Sequence, residues 1–388
     1  MYDAIVVGVG GMGSATLYHL ARSGAKVLGL EQFGIGHALG SSHGSTRIIR
    51  LAYSEGAEYV PLLRAAYRYW NELGELSGKR ILRVTGGLDI GGGGSWTVTG
   101  SRESCIAHGL DYEELDGNQV NRRFPGYCLP PTMRAIHQPD GGYLLCESAI
   151  ESHARLAGSL GAELRTNTRV VGWSSHSAGI RVATSEGEFE AKRLVVTAGP
   201  WVGVLSAELG PLCRPERQVM LWTRPLEERR FRPDRFPVFN MESPYGRYYG
   251  FPDHRGEGFK IGKYHHLGQV LDDPDRTDRA CHPEDEAALR EGISRYFPYA
   301  NGPTCRTAVC LFTNTPDHDF ILDRHPAHRN VFVAAGFSGH GFKFCSVVGK
   351  IMSEFCLDST PTWDLERFAL SAARMERWRN LPQSPGRP

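Results

Sequence analysis

Within its first thirteen residues the chain passes from an apolar run, residues 4–7 (AIVV), into the glycine pattern Gly8-Val9-Gly10-Gly11-Met12-Gly13. Such a run predicts a short strand buried on both faces in a parallel sheet. The glycines predict a tight turn, a close approach of backbone to a ligand, and a helix packed hard on the strand. That helix is expected to run to about Ser23, with Val27–Leu30 as the next strand, completing a strand–helix–strand unit. A helix N-terminus with unpaired N–H groups is a seat for a pyrophosphate. With 46 glycines in 388 residues, roughly one such pattern arises by chance, so the pattern alone decides little. Its context decides more: a strand before it, a helix after it, and Glu31 at the end of the second strand, where a ribose hydroxyl is held. Gly8, Gly10, Gly11, Gly13 and Glu31 are therefore expected to bind a dinucleotide.

The remaining chain is too long for one small core. Residues 58–76 predict a helix, because Tyr59, Leu63, Ala66, Trp70 and Leu73 share a face. From about Arg80 the texture becomes strands broken by Gly/Pro turns. Helical texture returns near Cys146, followed by strands at 169–173, 180–184 and 194–197. Residues 217–265 are strand-rich again, and 283–296 predict an amphipathic helix with Pro283 near its start. After Asn330 come a buried strand, a glycine-rich turn and a helix through about Cys356; the last thirty residues read as a surface helix and tail. The expected fold is α/β: a Rossmann-like FAD-binding domain in discontinuous segments (1–80, 147–212, 316–388) plus an antiparallel-sheet substrate domain (81–146, 213–315). FAD is preferred to NAD because the C-terminal strand–turn–helix and the strand ending in Thr197-Ala198-Gly199-Pro200-Trp201 suit a large extended cofactor.

A net charge of +1 with 22% charged residues shows no basic excess, arguing against nucleic acid or a membrane surface as partner. Nine scattered cysteines without a CxxC pair read as reduced thiols. The 15 histidines form no metal-ligand pattern, so no metal is expected. The start lacks a signal peptide's charged and apolar regions, no apolar run is long enough for a membrane helix, and the closing PQSPGRP carries no retention or lipidation signal. The protein is expected in the cytoplasm.

The stretches GVGGMGSATLYHLA, GSSHGSTRIIRLAY, TAGPW, YYGFP with FKIGKYHH, VCLFTNTPDHDFILD and AAGFSGHGFKF resemble the monomeric sarcosine oxidase family, which includes N-methyltryptophan oxidase and pipecolate oxidase. They stand in the family's order and span nearly the whole chain. The resemblance implies covalent attachment of the flavin through Cys310; without it, a cysteine in an apolar stretch reads as an inert buried hydrophobe. It implies that His43, Thr46 and Arg47 line the flavin ring, with Ser45 standing where the family often has an acidic residue. Gly199, Gly339 and Gly341 would contact the cofactor. Arg50 and Lys343 would hold the substrate carboxylate, for which cationic pairs are suited.

Lys260 is the candidate for oxygen activation, since a cation near the flavin stabilises the charge developing on O2. His265 and Tyr249 would line the substrate cavity. The histidine comes one residue late, however, and strand side chains alternate. Either a bulge absorbs the slip, or Lys263 replaces Lys260 on the inward face. Pocket residues are expected from 239–242 and 219–222. The implied reaction is oxidation of a secondary amine, an N-methyl or cyclic amino acid, to an imine, with O2 reduced to hydrogen peroxide by a monomeric enzyme. The alternatives are an FAD-dependent dehydrogenase with another electron acceptor, a non-catalytic flavin binder, and an NAD-dependent amine dehydrogenase.

Overall fold

The structure, a computed structural model, describes residues 1–380; the closing PQSPGRP lies outside the described residues. The N-terminal pattern folds as its residues dictate. Tyr2–Val7 is a strand, Gly11–Arg22 a helix and Val27–Leu30 a second strand lying parallel to the first. Gly8 adopts φ +86°, a left-handed conformation that glycine takes without steric cost. At Gly13 a Cβ would fall 1.8 Å from the Gly8 carbonyl oxygen, so only glycine lets this helix sit so close to the strand.

Around this unit runs an eight-stranded sheet. Its centre is parallel: Glu163–Arg165, Val27–Leu30, Tyr2–Val7, Gly187–Val196 and His328–Ala335 are neighbours in that order. The antiparallel hairpin partners Val170–His176 and Gly179–Thr184 extend one edge, and Ile321–His325 pairs with His328–Ala335. Helices Gly11–Arg22, Val60–Ser77, Cys146–Ser159 and Cys345–Cys356 pack together over one face. Tyr59, Leu63, Ala66, Trp70 and Leu73 are all buried there.

A second eight-stranded sheet has the order Thr304–Asn314, Arg214–Thr223, Phe259–Lys263, Gly246–Phe251, Val238–Ser243, Gly87–Gly92, Met133–Gln138 and Glu113–Asp116. Every neighbouring pair is antiparallel except Val238–Ser243 with Gly87–Gly92, which is parallel. Helix Pro283–Tyr296 begins on its proline and covers this sheet. Two helices, Trp96–His108 and Gly117–Arg123, interrupt the stretch whose texture predicts only strands and turns. The first is rich in Ser, Thr and Gly and has little apolar periodicity. Its start is marked by the Ser95 hydroxyl accepting from the Val98 N–H, a local signal easily lost among turn residues.

A small third sheet of Thr46–Ile49, Gly142–Leu145 and Leu82–Val84 stands apart from the two large ones and carries Arg47. All nine cysteines are free thiols. Among the described residues no helix is long and apolar enough to cross a membrane, and no three His, Cys, Asp or Glu side chains cluster as metal ligands would.

Candidate active site

One long cavity runs from the first sheet's strand ends to the second sheet. At its far end it is walled by Leu30, Glu31, Gly36, Thr168 and Val170; its middle passes Gly8, Gly10, Gly11 and Gly199. The near end is bounded by Arg47, Ile48, Tyr249, Cys310 and the turn 336–343, which includes Gly339, Gly341 and Lys343. Glu31 is locked in place, with Oε2 accepting from the Val9 N–H (2.8 Å) and Oε1 from the Phe33 N–H (3.0 Å). Gly13 lies behind the wall, where it serves helix packing.

The near end is a buried cluster of charge. Lys260 lies on Phe259–Lys263, opposite Trp222 and Phe251 in neighbouring strands. Its Nζ donates to the Gly44 and Thr46 carbonyls (2.7 Å each) and to the Thr46 hydroxyl (3.2 Å). Lys260 and Thr46 therefore sit one layer behind the wall, gripping the segment that presents Arg47. Lys263 is half-buried on the opposite face, over the Tyr248 ring. Glu147, absent from the sequence reading, holds the same turn by accepting from the Gly44 and Ser45 N–H groups. Burial and then Arg47 push the Lys260 pKa down to about 7. Cys310 stands opposite Gln218 with its thiol buried. Burial raises its pKa, while Arg47, Lys260 and Arg279 pull it back.

Arg50 is buried, tightly bound and, like Lys260, does not itself line the cavity. Its Nε donates to both Asp89 oxygens (3.1 Å each), and its Nη2 to Glu55 Oε2 (2.9 Å) and the Ser54 hydroxyl (3.2 Å). Nη1 has no hydrogen bond among the described residues. Burial opposes the charge of Glu55, yet Arg50 and Arg247 hold its carboxyl well below the usual range. Lys343 is buried on the wall with one acceptor, the His340 carbonyl (2.7 Å). Burial, then Arg50 and Arg247, push its pKa down to about 7. His340 is neutral: its Nε2–H must donate to the His318 carbonyl (3.0 Å), so its Nδ1 accepts from the Tyr53 hydroxyl (2.6 Å). Burial holds its pKa down near 3.

The description of FAD-dependent oxidoreductases matches this chain over residues 3–355. The chain is 41% identical to monomeric sarcosine oxidase of Bacillus sp. (strain B-0618), over 95% of its length and 96% of that protein's. It is 37% identical to N-methyl-L-tryptophan oxidase of Salmonella agona, with 95% and 98% covered. The chain belongs to the FAD-dependent oxidoreductase family. Its fold is also that of NikD, an unusual amino acid oxidase essential for nikkomycin biosynthesis (TM-score 0.82, 24% identity, 95% and 97% covered). The same holds for L-proline dehydrogenase from P. horikoshii (TM-score 0.83, 22% identity, 97% and 98% covered).

The cavity of this FAD-dependent oxidoreductase fits its cofactor. A Cβ on Gly10 or Gly199 would meet nothing within 4 Å, leaving open space at the wall beside the helix N-terminus. On the wall the Thr313 hydroxyl lacks a hydrogen-bond partner, as do both ring nitrogens of buried His43 behind it. Orphaned polar atoms of this kind call for a ligand or water. Burial, then Arg47, holds His43 near pKa 3, so it is neutral. His43 lies off the wall, and only Arg47 of the trio with Thr46 reaches it.

Two readings of the sequence need correction. First, His265 does not line the cavity. Phe259–Lys263 keeps unbroken register with Gly246–Phe251 through Lys263, so no bulge absorbs the extra residue. The chain turns immediately afterwards, with His265 at φ +55° and its Nδ1 2.8 Å from Glu216 Oε2. Tyr264 takes the wall position instead. Second, residues 219–222 and 239–242 supply no wall. Val219, Leu221, Phe239 and Met241 belong to the second sheet's core, and Trp222 lies beneath Lys260. The wall comes from Tyr249, Phe251, Tyr264 and Phe312.

Proposed function

We propose that this FAD-dependent oxidoreductase oxidises the secondary amine of an N-methyl or cyclic amino acid to an imine, with O2 reduced to hydrogen peroxide. The observation that carries this is Lys343. A buried lysine on the cavity wall has a single backbone acceptor, and burial pushes its pKa down to about 7, so an anion brought by a ligand would restore its charged form. Arg50, one layer behind the wall, would be the second cation for that carboxylate. The relatives named for sarcosine and N-methyltryptophan supply the amine.

FAD held along the cavity supplies the acceptor for the hydrogen and two electrons of the amine's carbon, and the route from them to O2. The residues do the rest. Gly8, Gly10 and Gly11 admit the pyrophosphate, and Glu31 the ribose. Arg50 and Lys343 orient the carboxylate, fixing which carbon faces the reacting centre. Tyr249, Tyr264 and Phe312 exclude water around it. Lys260, one layer behind the wall, would stabilise negative charge developing on O2 by its positive charge and not by direct contact, which favours the oxidase over a dehydrogenase using another acceptor. Cys310, on the cavity wall, would bond the cofactor; burial raises its thiol pKa, and Arg47, Lys260 and Arg279 offset part of that rise.

The strands of the first sheet all fall within 1–80, 147–212 and 316–388, and those of the second within 81–146 and 213–315. This supports a cofactor domain and a substrate domain with those boundaries, joined by the third sheet, which pairs Thr46–Ile49 of the one with Gly142–Leu145 of the other. The free thiols support a reducing cytoplasm. The name of the first relative supports a monomer.

Peroxide release from a panel of secondary amino acids, each beside its analogue lacking the carboxylate, tests the proposal. We expect turnover with the acids and a loss of at least a hundredfold without the carboxylate. Equal turnover of both, or none with any secondary amino acid, would overturn it.

A further inference from the structure

Tyr264 is presented to the cavity by a closed ring of six side chains. Arg50 Nε bonds Asp89; Asn240 Nδ2 donates to Asp89 Oδ1 (3.2 Å); the Tyr264 hydroxyl donates to Asn240 Oδ1 (3.2 Å). The guanidinium of Arg247 lies 4.2 Å from the Tyr264 ring centroid. Arg247 Nη2 donates to Glu55 Oε1 (2.9 Å), and Glu55 Oε2 returns to Arg50. Tyr249 abuts the same ring edge-on at 5.1 Å, and Phe312 lies at 5.9 Å. The Tyr264 N–H is tied to the Arg247 carbonyl (2.8 Å). Swinging the phenol aside would break a hydrogen bond and a cation–π contact and open a ring that also orients Arg50.

From this we infer that Tyr264 is a specificity-determining residue: a fixed stop that limits the bulk of the group on the substrate's α-carbon or nitrogen. The preferred substrates are secondary amino acids with small substituents. The inference rests on the reading that the cavity takes an amino acid. Charge agrees with it. Arg50 and Arg247 stand against Glu55 and Asp89, so the charge that Lys343 gains on protonation is the one left for a substrate carboxylate. Tyr249, Phe251, Tyr264 and Phe312 form an aromatic wall at this end of the cavity, beside Arg47.

The test is calorimetric binding of propionate, benzoate and 2-naphthoate to the flavin-loaded enzyme, wild type beside Tyr264→Ala, Tyr264→Leu and Tyr264→Phe. These acids bind without turnover. Tyr264→Ala is expected to shift the ratio of naphthoate to propionate affinity at least tenfold toward naphthoate. Tyr264→Leu is expected to shift it in the same direction and serves if the alanine variant does not fold. Tyr264→Phe keeps the ring, so its ratio stays within threefold of wild type. A ratio within twofold of wild type in both the alanine and leucine variants, with amine oxidation intact, overturns this inference alone. An enzyme that oxidises no amine, yet shows the expected shift, overturns the proposed reaction and leaves Tyr264's role standing.

Discussion

Asp89 holds Arg50 through a single nitrogen, with Nε 3.1 Å from both carboxylate oxygens. Asp89 is itself fixed by the Ser101 hydroxyl (2.7 Å) and Asn240. The arginine proposed to hold the carboxylate is therefore positioned from behind by protein groups alone. Burial alone would lower the Arg50 pKa, but Asp89 and Glu55 more than reverse this. Asp89→Asn keeps the shape and removes the charge. Losing one partner of a buried pair costs about 3 kcal/mol, so denaturant unfolding should show a loss of that order. A change under about 0.5 kcal/mol, the range of neutral surface substitutions, would show that Asp89 does not bear on Arg50.

What the sequence made legible was local. The glycine pattern, Glu31 and the helix Val60–Ser77 follow from rules about neighbours along the chain, and the structure places Gly8, Gly10, Gly11 and Glu31 on one wall. The substrate end was less legible because it depends on where a strand stops. Phe259–Lys263 runs one residue too far for His265 to reach the cavity, and no local pattern marks the turn that puts Tyr264 there. Asp89, Asn240 and Glu55 stand in three separate segments and become a set only through strand pairing, notably the register of Asn240 with Asp89. A buried-type acidic residue in an apolar strand, Leu88-Asp89-Ile90, was the one available signal that a cation would be found nearby.

Lys343 gives a pH prediction with a defined sign. Its pKa is depressed to about 7, so near pH 8 it is mostly neutral before a carboxylate binds. A bound carboxylate favours the charged form. Binding of propionate at pH 8 should therefore take up a proton, whereas binding at pH 6 should take up almost none. Calorimetry in two buffers of different ionisation enthalpy reads this directly; equal uptake at both pH values would remove Lys343 from the site.

The same group bears on stability. A depressed lysine pKa means the unfolded chain binds more protons between about pH 7 and 10.5, so this group's contribution makes the fold more stable as pH rises through that window. Lys343→Met removes the cost of a buried ammonium. It should raise the melting temperature at pH 7 while weakening propionate binding about tenfold or more, one hydrogen-bonded charge being worth that much. A variant that loses stability and binds propionate normally would contradict the assignment.

Lys260 should separate the two halves of the reaction. Removing one preorganised stabiliser of developing charge slows a step by about a hundredfold. Lys260→Met is expected to slow reoxidation by O2 to that extent, measured by stopped flow, and to slow reduction by substrate far less. Equal slowing of both would assign Lys260 to scaffolding of the turn it grips.

For Cys310, intact mass after acid denaturation is the readout. Wild type should carry a flavin-sized addition and Cys310→Ala none. Flavin released freely from the wild type would end the covalent assignment and leave the non-covalent cofactor site intact.

The central claim is that a secondary amino acid reduces the flavin held in this cavity and O2 reoxidises it. The most direct measurement is anaerobic titration of the purified yellow protein with N-methyl and cyclic amino acids, followed by air. The account predicts that one of them bleaches the visible flavin band stoichiometrically, and that air restores it with release of hydrogen peroxide. A band untouched by every such amino acid, or a well-folded protein that takes up no flavin, would contradict it.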